Sequence, residues 1–222
     1  VELNKELVEY IKLNIFNKYE RYYSHGMLHI QNVINTCIML AEYYNLDKNM
    51  AYVIAAYHDI GLNVDRKNHE YESGKILNND LNLRKYFSDE QIQIMKEAVE
   101  DHRGSKKEEP RNIYGKILSD SDRDFDVEIL AKRQMYTSIK NYPELTTFEE
   151  QFERCYEYIM NRINDTGHFN LWTNNPILIQ RREKFEQDYF NKEYTKTIYE
   201  KEYNKIYSEG IIEKMKNYYL DY

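Results

Sequence analysis

Apolar residues recur along this chain at the three- and four-residue spacing of an α-helix, while the alternation typical of a half-buried β-strand is scarce. The clearest stripe consists of Ile30, Val33, Ile34, Cys37, Ile38, Ala41 and Tyr44. A second apolar run follows Asp47, which is placed to cap a helix, and Gly61 is expected to end that helix. The pattern predicts an all-α fold, a compact helical bundle with a C-terminal helical extension.

Two further helices have recognisable starts. Ser88 with Gln91, and Thr147 with Glu150, each pair a capping hydroxyl with a side chain three residues later that can return the hydrogen bond. Such a box satisfies backbone N–H groups that the first helical turn leaves unpaired. The second box predicts a helix over 148–164.

The domain organisation is expected to change near residue 165. Residues 1–165 hold most of the apolar helical patterns and are predicted to form the core domain. The turn Asn174-Asn175-Pro176 then introduces a charged, Tyr-rich helical stretch. Residues 166–222 are therefore predicted to be a helical extension that packs on the core or mediates a homodimer.

Charge and composition exclude several classes of protein. The formal net charge is −7 and the basic residues are spread along the chain, which argues against a dedicated nucleic-acid surface. No apolar run approaches the roughly 20 residues that span a bilayer, so no membrane partner is expected. Cys37 and Cys155 belong to no CxxC motif, which favours a reducing, cytoplasmic location.

The apolar run AYVIAAY ends on the ionisable pair His58-Asp59. Burying such a pair is costly unless a partner compensates it. Taken alone, the dipeptide is explained by an ordinary helix end, where a His favours the dipole and an Asp caps a turn.

Other polar side chains are predicted to face the same core. His29 lies on the first apolar stripe, and His25 is expected one turn earlier on the same face. His102 ends a helix on its apolar face, and Asp122 follows Leu118 by one turn. A single inward His is usually a core residue, but several imidazoles and carboxylates in one core can be satisfied together by a divalent cation.

The acids of the segment GKILSDSDRDFD lie at positions 120, 122, 124 and 126, and periodicity leaves Asp120 and Asp122 both open as inward carboxylates. The segment does not fit a calcium loop, because Phe125 and Ala131 stand where such a loop needs Gly and Glu. The pair of His in HGMLH also lacks the Glu of a metalloprotease motif.

The ordered set His29, His58-Asp59 in AAYHDIG, and Asp122 in LSDSDR resembles the HD-domain superfamily of metal-dependent phosphohydrolases. The resemblance covers about residues 20–140 and implies an HD-type helical bundle. It also implies that His29, His58, Asp59 and Asp122 bind a metal. The family places a basic residue after its last acid, which selects Asp122.

Some members of that superfamily carry two additional His in this interval and bind two metals, and His69 and His102 lie there. The resemblance implies that they are ligands of a second metal or groups that bind phosphate. The GYP signature of the cyclic-dinucleotide branch is absent. Leu62 and Asn63 replace the acids of the alarmone hydrolase pattern.

Imidazole nitrogens and carboxylate oxygens without thiolate suit a divalent ion such as Mn, Fe, Ni, Zn, Co or Mg, bound as one or two ions. A metal lowers the pKa of bound water from about 16 to about 7, so hydroxide becomes available to attack a phosphate ester or anhydride. We expect Asp59 and His58 to be the catalytic residues, and Arg66 and Arg103 to hold phosphate groups of a small phosphorylated substrate such as a nucleotide.

Two other interpretations remain open on the sequence alone. The chain can be a non-catalytic, HD-like regulatory module that binds metal or nucleotide and signals through its charged C-terminal helices. It can also be a structural helical protein whose His residues are only core. Metal content separates the last interpretation from the others.

Overall fold

The computed structural model describes residues 2–164 and 169–220, and within these ranges the regular structure is helical. The predicted all-α fold is therefore confirmed. The α-helices are α1 (Lys5–Asn14), α2 (Met27–Tyr43), α3 (Lys48–Tyr57), α4 (His69–Asn79), α5 (Asp89–Asp101), α6 (Ile113–Ser121), α7 (Val127–Asn141), α8 (Phe148–Asn164), α9 (Pro176–Phe190), α10 (Lys192–Ser208) and α11 (Ile211–Asn217). Among the described helices, none combines the length and apolar character needed to cross a membrane.

The chain forms two compact units. The first consists of Val1–Glu20 and Met27–Arg123, and the second of Arg21–Gly26 and Asp124–Tyr222. The boundary expected from the sequence, between residues 165 and 166, lies outside the described residues and stays a prediction.

In the first unit, α2 packs on α3 and α6, and α4 packs along α5. The core-facing stripe of α2 is formed as expected, with Ile30 and Cys37 fully buried. The Asp47 side chain caps α3 by accepting a hydrogen bond from the N–H of Asn49. The capping box of Ser88 and Gln91 is present at the start of α5. These caps fix where the helices begin.

The end of α3 differs from the expectation. This helix ends at Tyr57, and Asp59 leaves the helical conformation with φ −107° and ψ 3°. Residues Ile60–Asn63 form a separate 3₁₀ turn in which Gly61 donates its backbone N–H to Ser73 Oγ of α4 at 2.8 Å. The expectation that Gly61 ends the helix is wrong, because Gly61 is instead the point where α4 approaches this turn.

The second unit is built on α7, α8 and α10, with α10 packed against α7 and α8. Its core is aromatic and includes Phe152, Tyr189 and Tyr199, all fully buried. The limits of α8 agree with the predicted helix over 148–164. The Thr147–Glu150 box is formed, since each residue accepts a hydrogen bond from the backbone N–H of the other.

Candidate metal centre

Six ionisable side chains of the first unit converge at the ends of its helices. His29 lies in the first turn of α2, His58 and Asp59 follow α3, His69 begins α4, His102 follows α5 and Asp122 follows α6. The ends of α3, α5 and α6 are the negative ends of their helix dipoles, which disfavour the charges of the Asp59 and Asp122 carboxylates. These three helix ends therefore favour positive charge beside Asp59 and Asp122, whereas His29 and His69 lie at the positive starts of α2 and α4.

Asp59 lies at the middle of the cluster because its two carboxylate oxygens face different pairs of imidazoles. Its Oδ2 lies 3.3 Å from Nε2 of His58 and 3.7 Å from Nε2 of His29. Its Oδ1 lies 3.4 Å from Nε2 of His69 and 3.7 Å from Nε2 of His102. The carboxylate thus divides the cluster into two halves and is shared by both.

Asp122 completes the first half. Its Oδ1 lies 3.1 Å from Nε2 of His29 and 3.6 Å from Nε2 of His58. The side chains of the two His are almost fully buried, whereas the Asp122 side chain is 24% exposed. The first half therefore opens toward solvent beside Asp122.

Three of the four imidazoles are oriented by the carbonyl three residues before them. Nδ1 of His58 lies 2.8 Å from the carbonyl of Ala55, and Nδ1 of His102 lies 2.6 Å from that of Val99. His69 makes the same contact with the carbonyl of Arg66, at 3.1 Å. A carbonyl oxygen can only accept a hydrogen bond, so Nδ1 of each ring carries a proton and Nε2 of each ring faces the cluster.

The carboxylates and the imidazoles shift one another's pKa values. Burial by itself lowers the pKa of His58, but the charges of Asp59 and Asp122 outweigh it and raise that pKa well above its usual value. Burial raises the pKa of Asp122, yet the close contacts of its carboxylate with the imidazoles of His29 and His58 hold that pKa well below its usual range. The pKa of His69 is lowered, chiefly by burial, so its ring is neutral at neutral pH.

The donor set fits a divalent cation. Three groups of ligand atoms lie within 4.8 Å of one another: those of His29, His58 and Asp59, those of His58, His102 and Asp122, and those of Asp59, His69 and His102. Nε2 of His58 is buried and makes no well-formed hydrogen bond within the described residues. A cation between these atoms would supply the partner that a buried polar nitrogen requires.

The two arginines expected to bind phosphate differ in their surroundings. Arg66 is exposed on the turn before α4, where its carbonyl accepts from His69. Arg103 follows His102, and its Nη1 contacts the carbonyl of Lys67 at 2.7 Å and both carboxylate oxygens of Glu70 at 3.4 Å. Arg66 is thus placed beside the second half of the cluster, while Arg103 is tied to groups of the protein.

The other acids of the segment after Leu118 lie elsewhere. Asp120 is buried in an ion pair with Arg123, at 3.6 Å. Asp124 pairs with Arg133, and Asp126 caps α7. The structure therefore separates Asp122 from Asp120, which periodicity had left equivalent.

The expectation that His25 continues the inward face of α2 is wrong, because α2 begins at Met27. His25 belongs to the second unit, where its ring contacts Ser24 Oγ at 2.9 Å and Arg133 Nη2 at 3.1 Å. Spacing alone could not show that the chain leaves the helical path before Met27.

Two neighbours of the cluster were not singled out in the sequence. Glu70 is buried, and its carboxylate lies 3.6 Å from Nδ1 of His69. Ser73 is fully buried and holds the Gly61 turn against α4. Both lie within four residues of His69, which is the only sequence signal that pointed to them.

This chain resembles a known protein family and two known proteins. The family model of the HD domain matches residues 27–124, which include all six side chains. An uncharacterized protein of Clostridium beijerinckii is 32% identical over 109 residues, which are 46% of this chain and 69% of that protein. A crystal structure described as a predicted HD superfamily hydrolase, from an uncultured Thermotogales bacterium, aligns with a TM-score of 0.45 at 18% identity over 72% of this chain and 88% of that one.

Proposed function

We propose that this chain, which belongs to the HD-domain superfamily, is a metal-dependent phosphohydrolase that acts on a phosphate ester or anhydride of a small molecule. The observation that carries the proposal is the position of Asp59. Its two oxygens face two pairs of imidazoles, each Nε2 within 3.3–3.7 Å. A carboxylate shared in this way is what two neighbouring cations would need.

The proposed assignment gives each cation its own ligands. His29, His58, Asp122 and one oxygen of Asp59 would hold the first, and His69, His102 and the other oxygen of Asp59 the second. Four imidazole nitrogens beside two carboxylates suit Mn, Fe, Co, Ni or Zn better than Mg, which prefers oxygen ligands. This assignment rests on side chains that the fold already brings together.

Divalent cations supply Lewis acidity to the phosphoryl group and make water a nucleophile at neutral pH. The residues of the chain supply orientation. The carbonyls of Ala55, Val99 and Arg66 hold the rings of His58, His102 and His69 so that each Nε2 faces the cluster. We assign to Asp59, which is 4% exposed, the role of orienting the attacking water or accepting its proton at a carboxylate oxygen.

The substrate is proposed to be a nucleotide or another small phosphorylated metabolite. The turn before α4 carries Arg66 and Lys67, both exposed, and Arg103 lies on the neighbouring loop. The exposed side chains of Arg66 and Lys67 would bind phosphate groups that the metal centre does not hold. Arg66 is the stronger candidate because its guanidinium is exposed.

The test is a hydrolysis screen with the chain loaded with Mn²⁺ or Zn²⁺, assayed against nucleotides and phosphate monoesters for release of phosphate or pyrophosphate. The proposal predicts turnover that chelation removes and that Asp59→Ala abolishes. Asp188→Ala, which changes a partly exposed, ion-paired acid of the second unit, is the control and should keep full activity. Metal binding without turnover of any substrate would instead favour a regulatory module that binds metal or nucleotide.

A further inference from the structure

We propose that Arg103 is a positioning residue that sets the second half of the metal centre by holding the start of α4 against the end of α5. This inference rests on the proposed two-cation function. It differs from the sequence interpretation of Arg103 as a phosphate ligand, because it assigns the guanidinium to the protein rather than to the substrate.

The two ligands of the second half come from different helices. His69 is the first residue of α4, and His102 is the residue that follows α5. Both Nε2 atoms must stay near the same oxygen of Asp59, from which they lie 3.4 and 3.7 Å away. Some contact between the two helix ends is needed to keep that spacing.

Arg103 makes this contact. Its Nη1 donates to the carbonyl of Lys67, two residues before His69, at 2.7 Å, and reaches the carboxylate of Glu70, one residue after His69, at 3.4 Å. The guanidinium belongs to the residue after His102. The side chain of the residue that follows His102 therefore contacts residues on both sides of His69.

Glu70 carries the effect to the metal ligand. This side chain is 5% exposed, and Oε2 lies 3.6 Å from Nδ1 of His69. A buried carboxylate needs a partner, and Arg103 supplies the positive charge. The carboxylate can then stay near Nδ1 of His69, the ring nitrogen that does not face the cluster. Groups that orient metal-binding imidazoles act at this nitrogen.

The loop that carries Arg103 is held at its other end as well. Lys106 donates to the carbonyl of Glu100 at 2.5 Å, and Arg111 pairs with Asp101 at 2.8 Å and with Glu100 at 2.8 Å. Arg103 thus extends from an anchored segment, which lets its guanidinium fix the position of α4 rather than follow it.

The experiment measures the affinity of each ion by calorimetric titration of the metal-free chain with Mn²⁺, with bound metal counted by elemental analysis. We expect the wild type to bind two ions. Arg103→Gln and Glu70→Gln should each lower the affinity for the second ion by about 10–100-fold, which is the usual effect of removing a group that orients a ligand. The affinity for the first ion should stay unchanged. Lys107→Gln, an exposed residue of the same loop, loses the same charge and should bind both ions as the wild type does.

A double variant tests whether Arg103 acts through Glu70. If it does, the double variant Arg103→Gln, Glu70→Gln should lose less affinity for the second ion than the product of the two single losses. Arg103→Lys keeps a positive charge opposite Glu70, so it should lose less affinity for the second ion than Arg103→Gln does. This conservative variant and Glu70→Gln carry the test if circular dichroism shows that Arg103→Gln does not fold.

The results that would overturn the inference are distinguishable from one another. Two ions bound with wild-type affinities in Arg103→Gln and Glu70→Gln would reject the positioning role and leave the proposed function intact. A wild type that binds fewer than two ions would reject the two-cation centre and the role of Arg103 together. Losses that multiply in the double variant would also reject action through Glu70.

Discussion

Nε2 of His29, in the first turn of α2, lies 3.1 Å from Oδ1 of Asp122, the residue that follows α6. The two residues lie near opposite ends of the matched domain, and the packing of α2 against α6 brings them together. His58 and Asp59 lie beside them at the end of α3.

Asp59 and Asp122 should have different effects on metal content. Asp59→Ala is expected to lower the affinity for both ions, because each oxygen of this carboxylate faces one half of the cluster. Asp122→Ala should lower the affinity for the first ion only, and His69→Gln should lower the affinity for the second ion only. Elemental analysis of the purified variants after dialysis checks this. An Asp59→Ala variant that keeps either ion at wild-type affinity contradicts the shared carboxylate.

The same substitution of Asp59 should remove activity. Metal ions contribute several kcal/mol of transition-state stabilisation, and each 1.4 kcal/mol is tenfold in rate. We therefore expect kcat/KM of Asp59→Ala to fall by more than about a hundredfold on any substrate that the screen identifies. Steady-state kinetics at saturating Mn²⁺ measure the effect, and wild-type turnover in this variant would reject the assignment.

Binding of the first ion should release a proton and weaken as pH falls. Despite burial, the carboxylates raise the pKa of His58 well above its usual value, so its Nε2 is protonated at neutral pH in the metal-free chain. A cation must displace that proton, and the affinity should fall by about tenfold for each pH unit below the raised pKa. Calorimetry in buffers of different ionisation enthalpy counts the protons. Metal binding with no proton release at neutral pH is the contrary result.

Bound metal should stabilise the fold. At a hundredfold excess over its Kd, a cation adds about 2.7 kcal/mol to the free energy of unfolding, which is a rise in Tm of roughly 5–10 °C for a chain of this size. Thermal unfolding followed by circular dichroism, with and without Mn²⁺, measures this rise. The Asp59→Ala variant is the control, and Mn²⁺ should raise its Tm by less than it raises the Tm of the wild type.

Gly61→Ala should disturb the second half of the centre. A methyl group there would lie 2.6 Å from the backbone nitrogen of Ser73 and would collide with the carbonyl of His69. The start of α4 must then move, at a cost of about 1–3 kcal/mol in stability. Gly104→Ala is a matched control, because nothing lies within 4 Å of its added methyl. Equal unfolding temperatures and equal metal content in the two variants would refute the close packing proposed for Gly61.

The sequence predicted the elements whose causes are local. The all-α class, the capping box of Ser88 and Gln91, and the limits of α8 follow from periodicity and capping, and the structure confirms them. The resemblance to the HD-domain superfamily is also confirmed. The ligand roles of His29, His58, Asp59 and Asp122 stay predictions, although their side chains lie together.

The remaining features depend on packing between helices, which no local pattern encodes. The two-sided position of Asp59 arises because α4 approaches the turn at Gly61. The burial of Glu70 against Arg103 needs α4 and α5 to lie side by side. Periodicity placed His25 on the face of α2, but the chain enters that helix only at Met27.

The most direct test of the central claim is an anomalous diffraction map from crystals of the chain grown with Mn²⁺. We expect one peak bonded by Nε2 of His29 and His58 and by oxygens of Asp59 and Asp122, and a second peak between Asp59, His69 and His102. A map with no peak at these side chains, from crystals in which they remain clustered, would contradict the central claim.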